Sequence, residues 1–192
     1  NIGQTSTVIF RRKVVENTGY FDENQKFAED ANYWLRISEK NKMFVLGESL
    51  VITGSGKKSF GESGLSGNLP AMEKGFQKNL KEMLHQNPAD QVAQAGLAQV
   101  GLLERTSKLN PNDVLQKASD RKDFASQMDL ADLELMKGNP GAGFAVLINA
   151  IKISSGEDRD KLRARLLELF MVVGESDPEV IKARRDLASA LF

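Results

Sequence analysis

The chain predicts a mainly α protein: a helical repeat module that carries a small α/β segment at its N-terminal end. Three observations predict it. The apolar spacing changes near residue 69, from short β-branched runs to long stretches repeating every three to four residues. Nine of the thirteen aromatic residues precede His85, and so do Trp34 and both tyrosines. The later part is punctuated by Asn87-Pro88, Gly138-Asn139-Pro140 and Asp177-Pro178, each a helix stop or start. The expected division is 1–68 for the α/β segment and 69–192 for the helical domain.

Composition narrows the chemistry. The chain has 192 residues, ordinary hydrophobic content and no cysteine, so disulfides, thiolate metal sites and thiol redox chemistry are excluded. His85 is the only histidine, and Ser-His-Asp catalysis is therefore poorly supported. Residues 1–86 carry 12 Lys+Arg against 10 Asp+Glu, and residues 87–192 carry 14 against 16. Neither half has the basic field that nucleic-acid binding needs. No apolar run is long enough for a spanning helix, and no leader peptide is legible, so no membrane contact and a cytoplasmic location are expected.

In the first half, Thr5 to Phe10 is a β-branched run that reads as a strand. Arg11 to Thr18 has helical spacing, and Gly19 suits the C′ position, where positive φ is wanted. Tyr20-Phe21-Asp22-Glu23 reads as a turn. A helix follows over residues 30–40, with Trp34, Leu35 and Ile37 on its apolar face. Met43 to Leu46 and Leu50 to Ile52 read as strands, and Gly54 to Gly67 as loop. Such strands are too few for an independent sheet and should pack on helices, pair across chains or be poorly ordered; pairing across chains would make a homo-oligomer.

These residues resemble a known family. Thr5-Ser6-Thr7-Val8-Ile9-Phe10-Arg11-Arg12, Gly19-Tyr20-Phe21-Asp22-Glu23 and Ala28-Glu29-Asp30 with Trp34-Leu35-Arg36 look like the later part of a family 2 glycosyltransferase of GT-A fold. The resemblance implies Asp30 as general base, taking the proton of an acceptor hydroxyl as it attacks the sugar carbon. It implies Glu29 beside it, and Trp34 and Arg36 on the acceptor side. A nucleotide sugar with a divalent metal would be the donor, yet the first half contains no Asp-x-Asp motif to hold them. The competing reading is local: acidic residues in a first turn favour the helix dipole.

The second half reads as paired amphipathic helices. Met72 to His85 places Met72, Phe76, Leu80, Met83 and Leu84 on one side, and Asn87-Pro88 stops it. Ala89 to Thr106 is the next helix, and a pair hinged at Asn-Pro has the shape of one tetratricopeptide-like unit. Pro111 opens another helix, followed by Phe124–Met136, Gly141–Ile153, Asp158–Val173 and a last one opened by Asp177-Pro178. The expected core is Leu97, Val100, Leu130, Leu133, Leu147, Leu166, Leu169, Phe170 and Leu187. The charges of Glu157 to Arg165 read as a solvated face with i,i+4 pairs.

This half resembles the C-terminal tetratricopeptide-like tail of bacterial thioredoxin-like co-chaperones. Asn87-Pro88-Ala89-Asp90, Gly96-Leu97-Ala98-Gln99-Val100, Leu166-Leu167-Glu168-Leu169-Phe170 and Arg184-Arg185-Asp186-Leu187-Ala188 carry the likeness. It implies a protein-binding module, for clients or chaperones, with no cofactor and no catalysis of its own. The alternative is a glycosyltransferase or an inactive piece of one. Together the two resemblances imply a chimera or a fragment.

Overall fold

The computed structural model describes residues 8–45, 47 and 68–191. Its described residues form helices and no strands: α1 (Arg12–Thr18), α2 (Glu29–Lys40), α3 (Leu69–Gln86), α4 (Gln91–Thr106), α5 (Pro111–Lys117), α6 (Phe124–Met136), α7 (Pro140–Ile153), α8 (Gly156–Val173) and α9 (Pro178–Leu191). The chain divides into two compact units, residues 1–86 and 87–192. That division falls one helix later than the expected 68/69 boundary and leaves α3 with the first unit.

The expected strands are corrected where they can be seen. Val8 to Phe10 and Met43 to Val45 have no regular structure. A β-branched run becomes a strand only beside another strand, and among the described residues none is present to supply ladder partners. Phe10 instead lays its ring edge-on against Tyr33 and Trp34, while Phe44 and Val45 are 86% and 93% exposed. Thr5 to Thr7, Leu46, Leu50 to Ile52 and the Gly54 to Gly67 loop lie outside the described residues.

In the first unit α2 packs against both α1 and α3. Gly19 closes α1 with φ 83, as the sequence indicates, and its amide donates to Val15 O. Tyr33, Trp34 and Ile37 form the small core, with Val8 and Val14 packed against it. The face of α3 that is buried is unexpected. Gly75 and Asn79 are its buried residues, whereas Leu69 and Phe76 of its apolar stripe are 63% and 45% exposed. Helix α3 seats through a close backbone approach, since a Cβ at position 75 would overlap the Phe27 carbonyl oxygen and lie 2.9 Å from its carbon.

In the second unit α7 packs on α6, α8 and α9, and α4 packs on α6 and α8. The core is drawn from helical stripes: Phe144, Leu147, Ile148 and Ile151 of α7, Leu162, Leu166, Leu169 and Phe170 of α8, and Val180, Ala183 and Leu187 of α9. Phe144 and Phe170 meet edge to face at 4.9 Å between centroids. Helices α6 and α7 approach closely because Gly143 bears no side chain: a Cβ there would stand 2.7 Å from Leu135 Cδ1. Caps fix the starts. Asp90, Asn110 and Asp123 each accept a backbone amide of the first turn of their helix, and Asp177 Oδ1 accepts from Glu179 N at 2.8 Å.

Of the expected core, Leu133, Leu147, Leu166, Leu169, Phe170 and Leu187 are buried. Leu97, Val100 and Leu130 are only half-buried. In α4 the residues turned fully inward are Ala93, Ala98 and Leu102, while Leu97 and Val100 sit at the margin of that contact.

Candidate functional site

The four residues singled out by the first resemblance sit on one helix, in different surroundings. Glu29 and Asp30 form the first turn of α2, both half-buried. Asp30 Oδ1 accepts from the Ala31 amide at 2.7 Å. The preceding Ala28 holds φ at 54°, a left-handed conformation that a residue with a Cβ adopts at a cost. Trp34 is 2% exposed, and its Nε1 has no hydrogen-bond partner. Rings of Phe10, Phe21 and Tyr33 surround it at 6.2, 5.9 and 5.5 Å. Arg36 is committed to hydrogen bonds within the unit: Nη2 donates to Tyr20 O at 2.7 Å, Nη1 to Thr18 O at 3.2 Å and Nε to the Asn32 side-chain Oδ1 at 2.9 Å. It thereby closes the turn after α1, with its guanidinium 5.1 Å from the centre of the Tyr33 ring.

Behind this turn lies a polar junction that the sequence did not announce. Asn79 Oδ1 accepts from Gln25 Nε2 at 2.8 Å and from Asn32 Nδ2 at 3.1 Å, while Asn79 Nδ2 donates to Ala28 O at 3.0 Å. Asn32 Nδ2 also donates to Glu82 Oε2 at 2.9 Å. The left-handed Ala28 is thus held from α3. The remaining link is Lys78 with Asp22 at 2.9 Å, and that hydrogen bond, first among several causes, draws the Asp22 carboxyl below its usual 3.8.

The second unit has its own buried charge. Asp132 of α6 is fully buried where α4, α6 and α8 meet. Its Oδ2 accepts from Arg105 Nε of α4 at 2.8 Å and from Arg165 Nη1 of α8. Arg105 Nη1 donates in turn to Glu168 Oε1 at 2.9 Å. Burial pushes the Asp132 carboxyl up from the ordinary aspartate value, and the Arg105 hydrogen bond and the two arginine charges oppose it. Gly101 makes room: a Cβ there would stand 3.1 Å from Arg105 Nη1 and 3.2 Å from Glu168 Oε1. A carboxylate enclosed in this way orders three helices and offers nothing to a substrate. Arg165 therefore turns inward, an exception at the end of a stretch whose Glu157, Asp158, Asp160, Lys161 and Arg163 are exposed as expected, with Lys161 and Glu157 paired at i,i+4, 2.8 Å apart. Sequence spacing placed Asp132 between Ala131 and Leu133, and an acid between two core positions was the available signal.

Among the described residues, no group of three or more His, Asp or Glu is placed to hold a metal ion. No described helix is long and apolar enough to cross a membrane. On α4, Val92 is 75% exposed and Leu103 49%, three turns apart on the same side of the helix with the exposed Gln99 between them.

Comparison with known proteins fits this helical architecture. Residues 104–192 match the family model described as Tetratricopeptide repeat, a span that takes in the end of α4 and all of α5 to α9. Uncharacterized proteins of Mycobacterium bovis (strain ATCC BAA-935 / AF2122/97) and of Mycobacterium tuberculosis (strain ATCC 25618 / H37Rv) are 34% identical over 115 residues. The match covers 60% of this chain and 38% of theirs, so the chain spans well under half the length of the curated relatives it matches. No solved structure matches. The fold is mainly α, with a tetratricopeptide-like helical region in its second unit.

Proposed function

We propose that the chain is a protein–protein interaction module of co-chaperone type, binding client proteins or a chaperone through its helical unit and carrying no catalysis of its own. The observation that supports it is the stacked helices of residues 104–192 with their match to the Tetratricopeptide repeat model. Stacked helical pairs present extended side-chain surfaces, and such surfaces commonly take proteins. The buried Asp132 junction ties three helices of that scaffold together, and the exposed Val92 and Leu103 of α4 supply apolar area that a partner would remove from water. The partner is then a chain with exposed apolar segments, such as an unfolding enzyme.

The test is light scattering of a thermally unfolding reporter enzyme with and without the full chain. Suppressed scattering at near-stoichiometric amounts, weakened in Val92→Glu/Leu103→Glu, is the expected result. Unchanged scattering, together with no binding to the unfolded reporter by surface plasmon resonance, overturns the reading.

The second reading is glycosyl transfer with Asp30 as base. It is favoured by one observation, the left-handed Ala28 immediately before Glu29-Asp30. Strained backbone collects at functional sites.

A further inference from the structure

Helix α3 carries a row of basic side chains of which its packing uses only Lys78, through Asp22. Lys74, Lys78, Lys81 and His85 are spaced i, i+4, i+7 and i+11, which places all four on one side of the helix. The stripe runs for about 16 Å along the helix. Together with Gln77 and Glu82 these residues line a shallow open depression. Lys78 is paired with Asp22 at 2.9 Å and with Glu82 at 3.6 Å, while Lys74, Lys81 and His85 are exposed on either side of it. The acids of α3 are Glu73 and Glu82, and only Glu82 borders the stripe.

Like charges one turn apart on a helix weaken it. The overall charge is zero, so this local excess is not the overspill of a basic protein. Lys78 is already balanced by Asp22 and Glu82, so the cations left to a partner are the exposed Lys74 and Lys81 on either side of it, and anions spaced along the stripe would complement them.

We infer that the lysine stripe of α3, in the first unit, is a docking surface for an acidic peptide segment of a protein partner. About five residues of extended chain span the stripe at the rise of a strand. Charge complementarity selects the acid-rich segment. The methylene stems of the lysines supply an apolar floor beneath it. A membrane is the poorer fit, because the apolar side of α3, with Leu69 and Phe76, lies on the opposite flank and could not insert beside the lysines. A nucleic acid is also disfavoured, since the stripe offers a base no Phe, Tyr or Trp ring to stack on, only the single imidazole of His85 at its end.

The experiment uses the full chain and a fluorescein-labelled peptide of alternating Glu and Gly, followed by fluorescence anisotropy at about 0.02 M and about 0.15 M salt. Saturable binding is expected at both, weaker at the higher salt. Lys74→Glu/Lys81→Glu should weaken it by at least about tenfold. Lys108→Glu/Lys182→Glu changes net charge equally on exposed residues of the other unit and should leave binding unchanged. Lys74→Gln/Lys81→Gln, with Trp34 emission as the check on folding, should fall between the reversal and the parent. Equal loss in both charge reversals, or no loss in either, overturns the docking surface. So does tighter binding to vesicles of phosphatidylcholine with about a third phosphatidylserine, or to a single-stranded RNA, if that binding is lost in the same variant.

Discussion

Arg105 of α4 and Arg165 of α8, sixty residues apart in sequence, place their guanidinium groups on one oxygen of one carboxylate, Oδ2 of Asp132. Two cations on one fully buried acceptor join three helices at a point where apolar packing alone would let them slide. The arrangement costs desolvation, which is why burial raises the Asp132 carboxyl, yet removing one member costs more than the set contributes. Asp132→Asn should therefore destabilise the second unit by about 3 kcal/mol, read as a loss of helical circular dichroism at lower denaturant. Stability equal to the parent would show that Glu168 alone suffices as counter-charge.

Leu169 is fully buried in the core of α8. Leu169→Ala should lower unfolding free energy by about 2–5 kcal/mol. The single Trp34 lies in the first unit, so circular dichroism of the helices is the readout for this loss. A melting midpoint unmoved by the truncation would mean that the α8 face is misassigned.

Asn79→Ala tests the first unit. It leaves Gln25 Nε2 and the Ala28 carbonyl each one partner short in a buried setting. The expected cost is about 1–3 kcal/mol, this time visible in Trp34 emission. Were the emission transition unchanged, α3 would be held by its apolar contacts and not by the polar junction.

Acid should loosen the same seat. The Asp22 carboxyl is drawn below 3.8 in the folded chain, chiefly by its hydrogen bond with Lys78. A carboxylate with a depressed folded value contributes stability above its unfolded value, and that stability is lost as pH falls through the folded one. Trp34 emission should thus begin to change only below the ordinary aspartate range. In Asp22→Asn that pH dependence should shrink, and an identical acid profile would contradict the assignment.

Asp30→Asn separates the two functional readings. As a first-turn residue of α2, Asp30 contributes a charge–dipole interaction, and the variant should lose about 0.3–1 kcal/mol. Assayed against a panel of nucleotide sugars and acceptors, neither parent nor variant is expected to form product. Transfer by the parent above a boiled control, absent from the variant, would place a catalytic base at Asp30.

Legibility followed the range of the forces involved. Helix α6 could be bounded at Phe124 and Met136 because its cap, its stripe and the Gly138-Asn139-Pro140 stop are all local. Val8 to Phe10 and Met43 to Val45 could not, because a strand needs neighbours that spacing does not name. The Asp132 junction was hidden for a related reason: a helical pattern says which side of α6 a residue occupies, but not that two arginines from α4 and α8 face it. Asn79 was hidden more deeply, since the apolar stripe of α3 drew attention to the side that the first unit leaves half open.

The seat of α3 also sets opposite rules for two facing positions. Ala28 bears a side chain where its backbone would prefer none, and Gly75 bears none where a side chain would collide with the Phe27 carbonyl. Chain variants should therefore drift freely toward glycine at 28 and never away from it at 75. The permissible alphabet at this contact is dictated by backbone clearance, so that a hydrophobicity scale would rank substitutions there in the wrong order.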